Sequence, residues 1–263
     1  MKKILAILIT VSILAVGLVG CGKSDESVNS LDRVKDAGKI TIGLEDTYPP
    51  MEYHDEDSNE LMGFDIDLGN EIASKLGVEA DFISTDFNGI SESLKASKFD
   101  IVISCLSITD KRKKTINFSD SYLNGGQIVV VKAGSDIKTV SDLNSKILAC
   151  QLGSTGEKAA NTVEGTKEVK SYNTITDAFN DLNIGRVDAV VVDVFVASYY
   201  LTELSDQYTV LDEELTEEPV GVGFNKNDPE LQEAVQTALD ELLEDGTMST
   251  LSVKWFGKDY YAK

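Results

Sequence analysis

The hydrophobic positions of this chain switch between two periods. Short apolar or alternating runs at Lys39–Leu44, Glu79–Ser84, residues 101–104, Gln127–Lys132, residues 146–151, Glu168–Tyr172 and Ala189–Asp193 read as strands. Stretches with helical spacing lie between them, at residues 66–76, 90–96, 154–161 and 176–184. Residues 220–225 return as a strand. Two helices close the chain, Pro229–Glu244 and residues 247–255, with Asp228 as N-cap ahead of a first-turn proline and Gly246 as a C-cap between them. Strands spaced by helices predict an α/β chain whose sheets are mixed but mainly parallel, flanked by helices. The polar run from His54 through Asp55, Glu56, Asp57, Ser58 and Asn59 to Glu60 predicts a hairpin turn, with the single histidine of the chain solvated on it.

One pattern occurs twice. Leu94-Lys95-Ala96-Ser97-Lys98-Phe99-Asp100-Ile101-Val102 matches Leu182-Asn183-Ile184-Gly185-Arg186-Val187-Asp188-Ala189-Val190 in spacing. Each is a helix end, a tight turn closing on Asp, and an apolar strand leading to polar groups: Ser104 in one copy, Asp193 in the other. This predicts two similar lobes that present strand ends to a shared cleft. Gly125-Gly126 and Gly221-Val222-Gly223 are candidate crossing points between them.

Charge narrows the partners. The chain has 263 residues, 24 basic and 45 acidic side chains and a net charge of −21. Phosphate contacts need a basic surface, so nucleic acid is excluded as a partner. The folded body is equally unsuited to anionic lipid. The acidity itself reads as a solubilising surface. With one histidine and three cysteines, no cluster has metal-ligand spacing, and neither metal nor cofactor is implied.

Lys2 and Lys3 precede an apolar run from Ile4 to Val19, which is a signal-peptide pattern too short for a stable span. It ends in Leu18-Val19-Gly20-Cys21, which resembles a bacterial lipobox. That implies a signal at residues 1–20 and Cys21 as the lipidated first residue of the mature chain. Acyl chains there anchor the protein, each buried CH2 contributing about 0.8 kcal/mol. Residues 21–36 are expected to be the lipidated cysteine and a flexible tether. The lysine-rich start and polar tether suit a cell with a single membrane. Cys105 and Cys150 are left as two buried thiols or, at an exported location, a disulfide.

The candidate chemistry is densest between Gly63 and Arg112. There an apolar strand empties into Ser104, Cys105 and Ser107, with Arg112 a few residues on. In open α/β sheets ligands bind at the carboxyl ends of strands. A fixed guanidinium beside hydroxyls at such an end suits a carboxylate.

The order and spacing of several short motifs then resemble the extracytoplasmic solute-binding proteins of polar amino acid ABC transporters, from about Leu31 to Gly257. The motifs are Thr47-Tyr48-Pro49-Pro50, Gly63-Phe64-Asp65-Ile66-Asp67-Leu68, Ser107-Ile108-Thr109-Asp110-Lys111-Arg112, Asn117-Phe118-Ser119-Asp120-Ser121-Tyr122, Gly153-Ser154-Thr155, Gly185-Arg186-Val187-Asp188-Ala189 and Lys254-Trp255-Phe256-Gly257. The resemblance implies a two-lobed periplasmic-binding-protein-like fold of type II. Lobe 1 is expected at residues 37–125 plus 222–263 and lobe 2 at residues 126–221.

It further implies roles. Arg112 clamps the ligand α-carboxylate, helped by Ser107 and by the backbone N–H groups of Ser154 and Thr155 at a helix start. Asp193 takes the α-ammonium, and its alternative role is a helix N-cap. Tyr48 and Phe87 flank the ligand side chain, or simply pack, and Tyr122 is structural. Glu45 faces the side-chain pocket with Gln151 opposite, a pairing that suits a basic, amide or cystine-type ligand and suits glutamate poorly. Two positions depart from the pattern: Met51 where phenylalanine is usual, and Cys105 beside the hydroxyls. The resemblance implies a monomer with an amino acid ligand and an ABC permease as its partners, with no catalytic role. The rival readings are an enzyme of dehydratase or transglycosylase type, a sensory module feeding a receptor, and an adhesin.

Overall fold

The computed structural model describes residues 29–203 and 206–262. The signal segment and Cys21 lie outside them, as does the tether up to Val28. The expected tether does not run to residue 36. Ser30–Ala37 is a helix, because Asn29 caps it by accepting the Asp32 N–H at 2.8 Å, Gly38 ends it in a left-handed conformation, and Val34 is buried against the body.

Two five-stranded sheets share one plan. The first runs in the order Glu79–Ser84, Lys39–Leu44, Ile101–Val102, Gly223–Phe224, Asn117–Phe118. The second runs Glu168–Tyr172, Ile147–Gln151, Ala189–Asp193, Gln127–Lys132, Tyr208–Val210. In each, the first three strands are parallel and the fourth is antiparallel to the third. The sheets are thus mixed, as expected, and the two lobes are copies of one topology. Ala189–Asp193 is buried along its whole length, the mark of a strand covered on both faces. The helices Phe64–Leu76 and Ile90–Lys95 pack on the first sheet, and Thr155–Ala160 and Ile175–Asn183 on the second.

The repeated sequence pattern has a physical origin. Ser97 and Gly185 stand at equivalent offsets and both adopt positive φ, 55° and 73°, which turns each helix end back toward its sheet. Asp100 and Asp188 follow three residues later. Asp100 accepts the Thr41 N–H at 2.8 Å, and Asp188 accepts the Ile147 N–H at 2.8 Å. Each aspartate therefore ties the incoming third strand to the strand beside it.

The chain leaves the first sheet after Phe118 and returns at Gly223, and an antiparallel pair, Leu123–Gly125 with Glu218–Val220, joins the two passages. At Gly126 an added Cβ would stand 2.0 Å from the Thr216 carbonyl oxygen, so only glycine allows the two passages to lie this close. The predicted strand at residues 220–225 is accordingly split, since residues 218–220 pair in the crossing and only Gly223–Phe224 joins the sheet. The predicted strand at 101–104 is also shorter. It ends at Val102, and Cys105 turns the chain with φ 42°. The first long helix starts at Phe64, two residues early. Gly63 before it has φ 141°, and a Cβ there would lie 2.1 Å from the Met51 carbonyl oxygen. Asp228 precedes Pro229 as expected but makes no side-chain cap hydrogen bond. The C-cap position is Asp245, and Gly246, two residues past Glu244 and left-handed at φ 83°, directly precedes the last helix. The polar run at 54–60 is a hairpin between Glu52–His54 and Leu61–Met62. Its His54 lies 3.1 Å from Asp46, which together with the Asn59 carbonyl raises the imidazole pKa.

Candidate functional site

Arg112 projects from a short helix, Asp110–Lys113, whose start is fixed by Thr109 accepting the Arg112 N–H at 3.2 Å. Its Nη1 donates to the Ser107 carbonyl at 2.8 Å, and its guanidinium carbon lies 5.3 Å from the centroid of the Phe87 ring. This backbone bond and the aromatic face hold the fork from its own lobe. Burial lowers its pKa to about 10, which still leaves it charged at neutral pH. Among the described residues it forms no ion pair.

Asp193 ends the third strand of the second sheet and is buried. Its Oδ1 accepts the Phe195 N–H at 3.0 Å, so it caps the helix Val194–Glu203. Burial pushes its pKa up to about 7. It too has no ion-pair partner among the described residues. Gly125 passes beside it, where an added Cβ would lie 2.9 Å from its Oδ2. Tyr48 is half-buried nearby, with its hydroxyl pKa raised by burial and by neighbours that include Asp193 and Glu52.

Glu45 and Gln151 meet across the two lobes. Gln151 Nε2 donates to Glu45 Oε2 at 3.1 Å and to the Asn173 carbonyl at 3.4 Å, while Thr47 donates to Glu45 Oε1 at 2.5 Å. Burial raises the Glu45 pKa to about 7. Three more contacts tie the lobes together. The Ser107 and Thr155 hydroxyls are 3.1 Å apart, Arg112 Nη2 donates to the Gly153 carbonyl at 3.4 Å, and Thr176 donates to the Thr47 carbonyl at 3.3 Å. The cleft is therefore shut, with its polar side chains bonded to one another. The surface depressions of about 400 and 380 Å³, lined by residues such as Lys132 and Lys146 or Tyr260 and Leu243, lie elsewhere.

Two expected contributors have other partners. Ser154 caps its helix by accepting the Glu157 N–H at 3.0 Å, and both its own N–H and its hydroxyl donate to the Gln151 carbonyl. Of that pair only Thr155 reaches across the cleft, and it also accepts from Gln127 Nε2 at 3.2 Å. Ser104 donates to Glu52 at 2.7 Å and accepts the Glu45 N–H at 3.1 Å, so its hydroxyl supports the site from behind. Cys105 and Cys150 are both buried free thiols, and burial raises each pKa.

Sequence reasoning missed a buried acid pair under this floor. Asp65 accepts the Cys105 N–H at 2.6 Å and the Tyr122 hydroxyl at 2.9 Å. Beside it, Glu52 is fully buried, and burial followed by the Asp65 charge raises its pKa well above the usual range. The Gly-Phe-Asp motif pointed to Asp65, whereas no local signal marks Glu52. Among the described residues no group of His, Cys, Asp or Glu could hold a metal ion.

Two α/β lobes of one strand order, joined by a paired crossing, form the architecture of a two-lobed solute-binding protein of the periplasmic-binding type II class. Residues 40–258 match the family model of bacterial extracellular solute-binding proteins, family 3. The chain belongs to that family. It is 35% identical over 252 residues to the L-cystine-binding protein TcyJ of Escherichia coli strain K12, covering 94% of each chain. It is 34% identical over 267 residues to the L-cystine-binding protein TcyA of Bacillus subtilis strain 168, covering 98% of each. An ancestral arginine-binding protein, solved with arginine and also with glutamine bound, superposes with TM-score 0.79 at 42% identity, over 84% of this chain and 99% of that one.

Proposed function

We propose that the protein captures a polar L-amino acid outside the cell and delivers it to a membrane ABC permease for ATP-driven import. One observation carries the reading: Arg112 and Asp193 come from opposite lobes, and neither has an ion-pair partner among the described residues. A buried charge left unpaired is costly, and the two ends of a zwitterion offset both costs at once. In this reading the α-carboxylate sits on Arg112, with Ser107 and Thr155 beside it, and the α-ammonium on Asp193. Phe87 and Tyr48 line the path to the side chain. A ligand that bridges the lobes has its differential affinity for the closed state, which is what closure requires. The hinge is the paired crossing at residues 123–125 and 218–220, with lobe 1 at residues 37–125 plus 222–263 and lobe 2 at residues 126–221.

Glu45 with Gln151 at the far end favours a basic, amide or cystine-type side chain. The names of TcyJ and TcyA, and the arginine and glutamine bound to the ancestral protein, point the same way. Acyl chains on Cys21 hold the mature protein to the outer face of a single-membrane cell. A thermal-shift screen of the chain from Gly22 onward, against the common L-amino acids and cystine, tests the class. Binding to the native state raises the melting point, by about 2.7 kcal/mol of stabilisation at a hundredfold excess over Kd. The reading expects a shift with arginine, lysine, histidine, glutamine or cystine. A best response to an acidic amino acid defeats the side-chain assignment. No response from ligand-free protein defeats the transport reading, and the same preparation is then assayed for turnover of prephenate or arogenate.

A further inference from the structure

Glu218 lies in the crossing between the lobes, on a strand that nothing in the ligand reading has used. That strand is held on both sides by the site. On one side Glu218 pairs with Gly125, whose backbone passes against the Asp193 carboxylate. On the other, the Ile108 N–H donates to the Pro219 carbonyl at 2.7 Å and the Gly221 N–H to the Leu106 carbonyl at 3.1 Å, so the segment carrying Ser107 runs alongside. Ser107 itself bridges to Val220. The Glu218 backbone therefore sits between the segment that holds Arg112 and the glycine that touches Asp193.

Its side chain is half-used. Oε1 accepts the Thr216 hydroxyl at 2.9 Å, but Oε2 is buried and has no hydrogen-bond partner. Leaving a buried carboxylate oxygen bare costs more than leaving an amide bare, and native structures keep such atoms only for a reason. The surroundings say what is missing. After burial, Glu218 is the leading influence on the Arg112 guanidinium, and it also acts against ionisation of Asp193 and of Cys105. Glu218 thus stands close enough to influence both the Arg112 guanidinium and the Asp193 carboxylate, and its cross-strand partner Gly125 is the residue that passes against Asp193. A ligand cation supplies the charge that balances the second acid.

We propose that Glu218 is a second carboxylate for the ligand's ammonium group, shared with Asp193, and that its bare Oε2 is the open position the ammonium fills. The assignment rests on the amino acid reading above. An ammonium has three donors, and two carboxylates plus one hydroxyl or carbonyl saturate it. Glu218 stands on the crossing strand at the edge of the second lobe, and Asp193 ends that lobe's third strand. The ammonium therefore sits on the second lobe beside the hinge, and Arg112 takes the carboxylate on the other side.

The test compares Glu218→Gln with the unaltered protein by calorimetry, using L-arginine and L-cystine as probes, together with 5-guanidinopentanoate, which is arginine without its α-ammonium. The variant is expected to bind L-arginine or L-cystine on the order of tenfold to a hundredfold more weakly, the range for a charge-assisted hydrogen bond. Its affinity for 5-guanidinopentanoate is expected to be unchanged. Its unliganded melting point should be equal or higher, because an amide is less costly than a carboxylate at a buried, unpartnered position. Equal losses for arginine and its deaminated analogue would place Glu218 behind Arg112 and overturn the ammonium assignment. A lower unliganded melting point with unchanged affinity would make Glu218 a structural residue and overturn it equally. If the unaltered protein binds neither amino acid, the amino acid reading fails and the assignment falls with it, a result separate from any defect of the variant.

Discussion

The two sheets have the same strand order and the same aspartate-closed turn before the third strand, yet their third strands end in opposite ways. In the first sheet the strand stops at Val102 and breaks into a left-handed turn at Cys105, which leaves Ser104 and the Cys105 N–H bonded to acids from neighbouring elements. The positive charge of that lobe then arrives from Arg112, on a separate short helix. In the second sheet the strand stays buried to its last residue, and that residue, Asp193, is a buried acid that caps the following helix. A duplicated scaffold has thus acquired an electrical polarity, cation on one lobe and anion on the other. The repeated parts, Leu94 with Leu182 and Asp100 with Asp188, build the framework. The parts that differ carry the residues to which the proposed function assigns recognition.

The comparison breaks most severely at Arg112. Replacing it with methionine keeps the volume and removes the guanidinium proposed to hold the α-carboxylate, so amino acid binding should weaken by about 2–5 kcal/mol, tens- to thousands-fold by calorimetry. The unliganded melting point should hold or rise, because a desolvated charge has gone. A binding loss matched by unfolding would mean that Arg112 is structural.

The second effect is a pH dependence. Burial pushes Asp193 and Glu45 up to about 7, against about 4 in an unfolded chain. The folded, unliganded protein therefore binds more protons than the unfolded one between these values. The associated stability is fully present below pH 4 and is lost as pH rises through 7. The unliganded melting point should fall between pH 5 and pH 8, while affinity for an ammonium-bearing ligand should rise over the same interval. Asp193→Asn should flatten both curves while keeping the helix cap, since its amide oxygen still accepts the Phe195 N–H. Curves unchanged in that variant would remove Asp193 from the ligand site.

Glu45→Gln sharpens the comparison at the side-chain end. Basic ligands should lose about tenfold, the cost of one charge-assisted contact, while glutamine is held within a few-fold. An equal loss for both would assign Glu45 to lobe closure through Gln151 alone. Cys105→Ser is expected to be the mildest change, altering affinity by less than about threefold. Its backbone N–H makes the bond to Asp65, and a hydroxyl fits the same space.

The architecture was legible because it rests on local pattern. Strand and helix periods, the doubled Leu-to-Asp turn and the glycine crossings all record short-range constraints. Arg112 and Asp193 were singled out by the ordered motifs around them, and they stand on different lobes. What stayed hidden depends on contacts far apart in the chain. Glu52 is a polar residue in a three-residue strand, and nothing nearby in the sequence signals that Ser104, 52 residues on, will bury it. The helix Ser30–Ala37 was hidden in a polar stretch because only the buried Val34 and the partly buried Leu31 bring apolar contact to the body. Ser154 was misjudged because Gln151 takes the donors that the helix start was expected to leave open.

The most direct test is a crystal structure of the protein with the amino acid that gives the largest thermal shift. The account predicts its α-carboxylate at hydrogen-bond distance from Arg112, about 3 Å, and its α-ammonium against Asp193, with the side chain pointing toward Glu45 and Gln151. A ligand bound with its ends reversed, or held outside the cleft with Arg112 and Asp193 untouched, would contradict it.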